Sequence, residues 1–293
     1  MRVGMWNRGL HSHAGGDLVQ VAETAAALRK RGVFAYLEPN DPLLAKPHTS
    51  SIDIAHITHC NFTFSQANFN WAEQTHLPVV LTPTFYDSES FGVSYVEVRA
   101  MLESADAVIP FSQAEAALIE QCTGFTPFHR VLPNGTDTAF HATDDPMRRE
   151  GVLAVAARAG TKGTEIVKEL CEELKYPYMI ATGYAREQMP GIYKKHRVFI
   201  HAGDKEVMSL VIGEALCANC RVLATNTNPG NEWYPGLLTF TPHFPANKDA
   251  LKELLVAAYT DNNWCYAPNE AARKLTWSYV ANELITVYKK VLA

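Results

Sequence analysis

The stretch from Val198 to Glu232 reads VFIHAGDKEVMSLVIGEALCANCRVLATNTNPGNE, and it decides the fold. Val198-Phe199-Ile200 is a short apolar run of strand formers, His201 to Lys205 is a small polar loop, and Val207 to Cys217 is apolar with helical period. Arg221 to Ala224 follows as a second strand. A strand-loop-helix-strand unit puts its loop and helix start at the carboxyl edge of a parallel sheet, where open α/β sheets bind ligands. Two acids fall there, Glu206 in the loop and Glu214 on the helix. A helix beginning near Met208 turns its first amides and positive dipole end toward the loop, which suits a phosphate. A carboxylate two turns along suits a diol such as ribose, and Glu206 then faces whatever the phosphate carries. Two isolated glutamates at this spacing arise often by chance, as a solvated loop acid and a member of a polar helix face, so the flanking sequence has to carry the reading.

Upstream, Gly151 to Ala156 is a strand, Ala157-Arg158-Ala159-Gly160-Thr161-Lys162-Gly163 a loop, and Thr164 to Leu174 a helix. Arg158 and Lys162 at such a strand end can clamp a diphosphate through charge-assisted hydrogen bonds; each on its own reads equally as a solvated surface cation. Tyr178 to Gly183 is the next strand, and a helix lies around Met189 to Lys195. Downstream come Leu237 to Phe240, a helix from Lys248 to Tyr259, and a last helix from Trp277 to Leu292 with one apolar stripe of Val280, Leu284, Val287, Tyr288 and Val291.

The amino-terminal half also alternates. Arg2 to Trp6 is a strand, Gly15-Gly16-Asp17 opens a helix from Leu18 to Arg31, and Val33 to Leu37 is the next strand. A Gly-Gly pair at a strand-helix junction lets backbone amides approach a ligand, and it is also a plain tight turn. His11 and His13 precede it. Ile52 to Ile57 and Pro78 to Thr82 are further strands, ending in His59 and in Thr84-Phe85-Tyr86-Asp87. Ser112 reads as the N-cap of a helix from Gln113 to Gln121. Pro133-Asn134-Gly135 forces a turn between domains, and His141 to Glu150, polar and without period, reads as a linker.

At 293 residues the chain has room for two α/β domains. A formal charge of -5 gives no basic footprint for nucleic acid. MRVGMWNRGLHSH does not read as a signal peptide, and no apolar run approaches the ~20 residues of a spanning helix, so a cytoplasmic protein is expected. Six irregularly spaced cysteines suit a reducing compartment. Cys217 and Cys220 have metal-like or redox spacing but no partner pair, and they read as packing residues at a helix end.

The run EVMSLVIGEALCANCRV, Glu206 to Val222, resembles the donor-binding element of retaining GT-B glycosyltransferases of the group 1, family 4 type, typically E-x-F-G-L-x-x-x-E-A-M-A-x-G-x-P-V. Both glutamates, Leu210, Ala215 and Val222 match; Met208-Ser209 replaces Phe-Gly, Asn219 stands for Gly and Arg221 for Pro. Asn219 tolerates the left-handed conformation that ends a helix. The loop with Arg158 and Lys162 is similar to the family's G-R-x(4)-K-G, one residue shorter, and PNGTDTAF, Pro133 to Phe140, to its P-N-G-x-D-x-x-x-F, with one residue less before Phe140. The resemblance covers nearly the whole chain, strongest from Val152 to Glu232 and weakest between Pro39 and Phe69.

The resemblance implies two Rossmann-like domains facing a central cleft: 1–140 on the acceptor side, 141–276 on the nucleotide-sugar donor side, and 277–293 as a helix returning to the first domain. The implied activity is that of a retaining hexosyltransferase drawing on a UDP- or GDP-sugar, with an open acceptor, no metal and no other cofactor. Gly15, Gly16, Arg158, Lys162, Gly183, Met208, Ser209, Leu210 and Glu214 are the implied donor-binding residues. Glu206 and Asp87 carry the chemistry, and His11, His13, His59 and Tyr86 are acceptor-side candidates. Many family members place a His under the donor sugar near where Thr84 stands; that role falls to Thr84, Tyr86, Asp87 or His59, or is lost. A nucleotide-sugar epimerase of the same fold and a non-catalytic two-domain binding protein are the alternatives. No G-x-G-x-x-G follows a strand, which disfavours an NAD enzyme.

Overall fold

Strand β1 (Arg2–Trp6) joins β2 (Phe34–Leu37), β3 (Ile54–Thr58), β4 (Val79–Thr82) and β5 (Ala107–Val108) in a parallel sheet of order β2-β1-β3-β4-β5. The computed structural model describes residues 1–6, 16–37, 52–60, 63–85, 93–126, 128–156, 162–242 and 246–293. A second parallel sheet holds β6 (Val152–Val155), β7 (Tyr178–Ala181), β8 (Val198–His201), β9 (Arg221–Thr225) and β10 (Leu238–Phe240) in the order β10-β9-β8-β6-β7. Read from the β7 edge, its strands run second, first, third, fourth, fifth, the same sequence as in the first sheet. Each sheet therefore reverses its winding between its first and third strands. Chain leaving those two strands departs to opposite faces, which opens a crevice at their carboxyl ends.

The chain divides into two compact units, Met1–Gly135 with Trp277–Ala293, and Thr136–Thr276. In the first lie α1 (Gly16–Arg29), α2 (Thr63–Gln74), α3 (Tyr95–Ser104) and α4 (Gln113–Thr123). The second holds α5 (Thr164–Leu174), α6 (Met189–Tyr193), α7 (Leu210–Cys217), α8 (Lys248–Thr260) and α9 (Ala267–Lys274); α10 (Trp277–Val291) returns to the first. No helix among the described residues is long and apolar enough to cross a membrane. Strands β3, β4, β8 and β9 are buried along their whole length, as expected of parallel strands covered on both faces.

The stretch from His141 to Glu150 is no free linker. Its Arg149 is buried, donates from Nη1 to the Ala218 carbonyl at 2.8 Å and pairs with Asp144 at 2.5 Å, so it packs into the second unit in spite of its polar sequence. Asn219 does take the left-handed conformation, with φ of 63°, where α7 ends. Arg221, in place of a proline, is buried; it donates to the Ala258 carbonyl at 2.9 Å and lies over the Trp264 ring, tying β9 to α8 and the segment after it.

Helix α10 buries Trp277, Val280, Ala281, Leu284, Val287 and Tyr288, while Val291 at its end is only half-buried. The Tyr288 hydroxyl lies 2.6 Å from Nδ1 of His56 on β3, and the other ring nitrogen of His56 lies 2.9 Å from the Thr82 hydroxyl. The ring is fully buried and faces no carboxylate, and burial lowers its pKa from 6.5 to about 4. Between those two pH values the unfolded chain takes up a proton that the folded chain refuses, so stability is highest above 6.5 and falls as the pH drops toward 4. Going from pH 7 to pH 5, the expected loss is roughly 2 kcal/mol. Denaturant midpoints at the two pH values check this against His56→Gln, which should flatten the dependence; equal slopes in the two proteins would contradict it.

Candidate functional site

The crevice of the second sheet opens where β6 and β8 end. Beyond β6, Lys162 and Gly163 both adopt left-handed backbone, with φ of 56° and 67°, and α5 starts immediately after them. Only glycine fits at 163, because a Cβ there would lie 2.3 Å from the Ala202 carbonyl oxygen just past β8. The two strand-end loops are thus locked together, and Lys162 is delivered beside the β8 loop. On the β8 side, Thr225 Oγ1 donates to the Gly203 carbonyl at 2.5 Å, and the Gly230 amide donates to the Val207 carbonyl at 2.9 Å. A Cβ on Gly230 would lie 2.2 Å from the Met208 sulfur, so Met208 is packed inward under that backbone.

His201 is not the start of the polar loop, as its sequence suggests, but the last residue of β8, and its side chain is buried. Its Nε2 lies 3.4 Å from Glu206 Oε1, and the same oxygen accepts from Lys162 Nζ. Glu206 is 15% exposed. Burial alone would raise its pKa, but His201 and Lys162 outweigh it and hold the carboxyl below its ordinary value. Glu206 is therefore an ionised, largely buried acid fixed by two donors from neighbouring strand ends. The sequence reading missed His201, and its only signal is a polar residue closing an otherwise apolar strand.

Helix α7 begins at Leu210, two residues later than Met208, because Ser209 occupies the N-cap with extended backbone. Ser209 makes no side-chain capping hydrogen bond, unlike Ser112, which accepts from the Glu115 amide at 2.9 Å at the head of α4. The first turn of α7 keeps its amides and dipole end directed at the crevice beside Lys162 and Glu206. Glu214 lies on the second turn and is 3% exposed. Its Oε1 pairs with Arg186 Nη1, and the Arg186 guanidinium lies 4.7 Å from the centre of the Phe140 ring. Burial, with Glu214 beside it, pushes the Tyr193 phenol upward. Gly183, with φ of 71°, follows β7; a Cβ there would meet nothing, so its backbone conformation and not crowding calls for glycine.

Lys162, Gly183, Ser209, Leu210, Glu206 and Glu214 thus share the carboxyl edge of one sheet. In the first unit the equivalent crevice holds Gly16, the first residue of α1, and His59 at the end of β3, buried with φ of 72° and Nε2 3.6 Å from Asp17. Thr84, past β4, is also left-handed at φ 47°, and the following amide, Phe85, donates to the buried Glu115 carboxylate at 2.7 Å. His11, His13, Gly15, Tyr86, Asp87 and Arg158 lie outside the described residues. Cys217 and Cys220 are buried free thiols, each pushed up to about 12 by burial, in keeping with packing. Among the described residues, no group of three or more His, Cys, Asp or Glu is placed to hold a metal ion.

No protein-family model matches the chain, and no curated protein matches its sequence. Solved structures do match in shape. A sucrose-phosphate synthase from Thermosynechococcus elongatus superposes with a TM-score of 0.76 at 14% identity, over 99% of this chain and 98% of the other. Anabaena HepE in complex with UDP-glucose gives 0.71 at 14% identity, over 99% and 100%. A glycosyltransferase from Rickettsia africae gives 0.70 at 15% identity, over 99% and 98%. With two parallel five-stranded α/β domains and full-length correspondence to these structures, the chain has the GT-B fold.

Proposed function

We propose that the chain is a retaining glycosyltransferase that takes a hexosyl group from a UDP- or GDP-sugar. The observation that carries this is the meeting of Lys162, Glu206 and the uncapped head of α7 at the switch point of the second sheet. A diphosphate set against the first turn of α7 would be met by backbone amides, by the dipole and by Lys162. In taking up the diphosphate, Lys162 gives up Glu206, which then turns to the sugar. The nucleoside end falls toward Glu214 and Arg186. HepE, of the same fold, has been solved with UDP-glucose, which supports a nucleotide sugar as the ligand class.

Glu206 acts by electrostatics: a carboxylate beside the anomeric carbon favours the positive charge that grows there as the diphosphate departs. A front-face displacement, with the departing phosphate accepting the acceptor's proton, keeps Glu206 in that electrostatic role and needs no covalent glycosyl intermediate. Cationic side chains and helix amides neutralise the leaving group without a metal. Incubation with UDP-, GDP- and ADP-sugars in the presence of EDTA is expected to release nucleotide from one of them. Release from none, or turnover that vanishes on chelation and returns with added metal, would contradict the proposal.

A further inference from the structure

Glu214 is an unusual group to meet a ligand directly. It is 3% exposed, its Oε1 is taken up by Arg186, and Arg186, at 27%, is the more exposed member of the pair. The guanidinium is held on two sides, by the carboxylate and by the Phe140 ring at 4.7 Å, and that ring is itself edge-packed on Tyr193 at 5.6 Å. Arginine carries five N–H donors in a rigid plane. Among the described residues, only Nη1 has a protein acceptor. A cation fixed in one orientation, with spare donors and partial exposure, is built to hold something else.

Its position says what. Arg186 follows Gly183 at the carboxyl end of β7, and its partner Glu214 lies five residues beyond the α7 N-cap, ~7 Å along the helix. That is about the reach from a diphosphate at the helix head to the sugar of its nucleoside.

We infer that Arg186 is the residue that binds the nucleoside half of a nucleoside diphosphate, donating to its acceptor oxygens, and that Glu214 is the positioning residue behind it. This rests on the nucleotide-sugar reading and changes the assignment within it, because the second glutamate then acts through the arginine. Glu214 also has its charge compensated in place, so a buried carboxylate does not oppose the phosphates nearby. Among the described residues, the ionisable groups that interact with it include Arg186, Tyr193, Tyr234 and Cys217, and Arg186 is the cation of these four.

Calorimetric titration of the full chain with UDP and with GDP tests the assignment. Arg186→Lys keeps a cation for Glu214, so it should retain the wild-type melting temperature; an ammonium has no planar fork with which to hold Glu214 and reach a ligand together. It is expected to weaken the nucleotide that binds by roughly tenfold to a hundredfold. Glu214→Gln should weaken it comparably, and Arg186→Met combined with Glu214→Gln should do no worse than Arg186→Met alone. A purely structural arginine would be rescued by lysine, so wild-type affinity in Arg186→Lys overturns the inference. So does a loss of affinity in Glu214→Gln that Arg186→Met does not share, which makes the carboxylate the direct contact. Wild-type protein that binds neither nucleotide overturns the nucleotide reading and this inference with it.

Discussion

Glu206→Gln is expected to lower kcat by about a hundredfold to a thousandfold, the range seen when one preorganised electrostatic group is removed from a transition state. The substitution keeps the shape of the side chain and one oxygen for Lys162 and His201, while it removes the charge and replaces the other oxygen with an amide donor. Affinity for the free nucleotide diphosphate should change far less, since the nucleotide contacts proposed above are Lys162, the head of α7 and Arg186. A fall in kcat and in kcat/KM together, with nucleotide affinity kept, is the signature of an interaction expressed in the transition state. Near-normal turnover, or a loss confined to nucleotide binding, would remove Glu206 from the chemistry.

Gly163→Ala should be the most damaging single methyl in the second unit. Its φ of 67° already strains an alanine, and its Cβ would fall 2.3 Å from the Ala202 carbonyl oxygen, a backbone atom that cannot step aside like a side chain. Left-handed strain and overpacking each cost of order 1–3 kcal/mol, so a total of about 2–6 kcal/mol is expected. Gly183→Ala is the natural control, because it shares the positive φ of 71° but meets nothing within 4 Å; it should cost only about 1 kcal/mol of strain. Denaturant midpoints compare the two, and nucleotide titration of Gly163→Ala should show weakened binding as the loop that delivers Lys162 shifts. Equal midpoints for the two variants would mean that the β6 and β8 loops are not locked as described.

The central strand-loop-helix-strand unit was legible because its signals are local. Apolar β8 and β9 flank a helix whose period is complete within eight residues, and Asn219 marks its end. The apolar pattern places the start of α7 two residues early because Met208 continues the apolar run; Met208 is buried under Gly230, whereas Ser209 takes the cap. Helix α3 does carry a sequence signal, the capping box of Ser94 and Glu97. Helix α9 is hard to read from sequence because half of its eight residues are polar and it gains its place by packing: Asn269 donates to the Leu216 and Cys220 carbonyls at 2.9 and 3.0 Å. The two glutamates could be named from spacing and resemblance, but their partners could not. Arg186 meets Glu214 across 28 residues and Lys162 meets Glu206 across 44, and those distances close only when the sheet forms.

A structure of the chain with the nucleotide diphosphate it binds tests the central claim most directly. The diphosphate is expected within hydrogen-bond distance of the Leu210 and Val211 amides and of Lys162 Nζ, with Glu206 turned toward the sugar side of the β-phosphate. A nucleotide bound elsewhere, or a diphosphate at α7 with the Lys162 to Glu206 pair still closed, would contradict it.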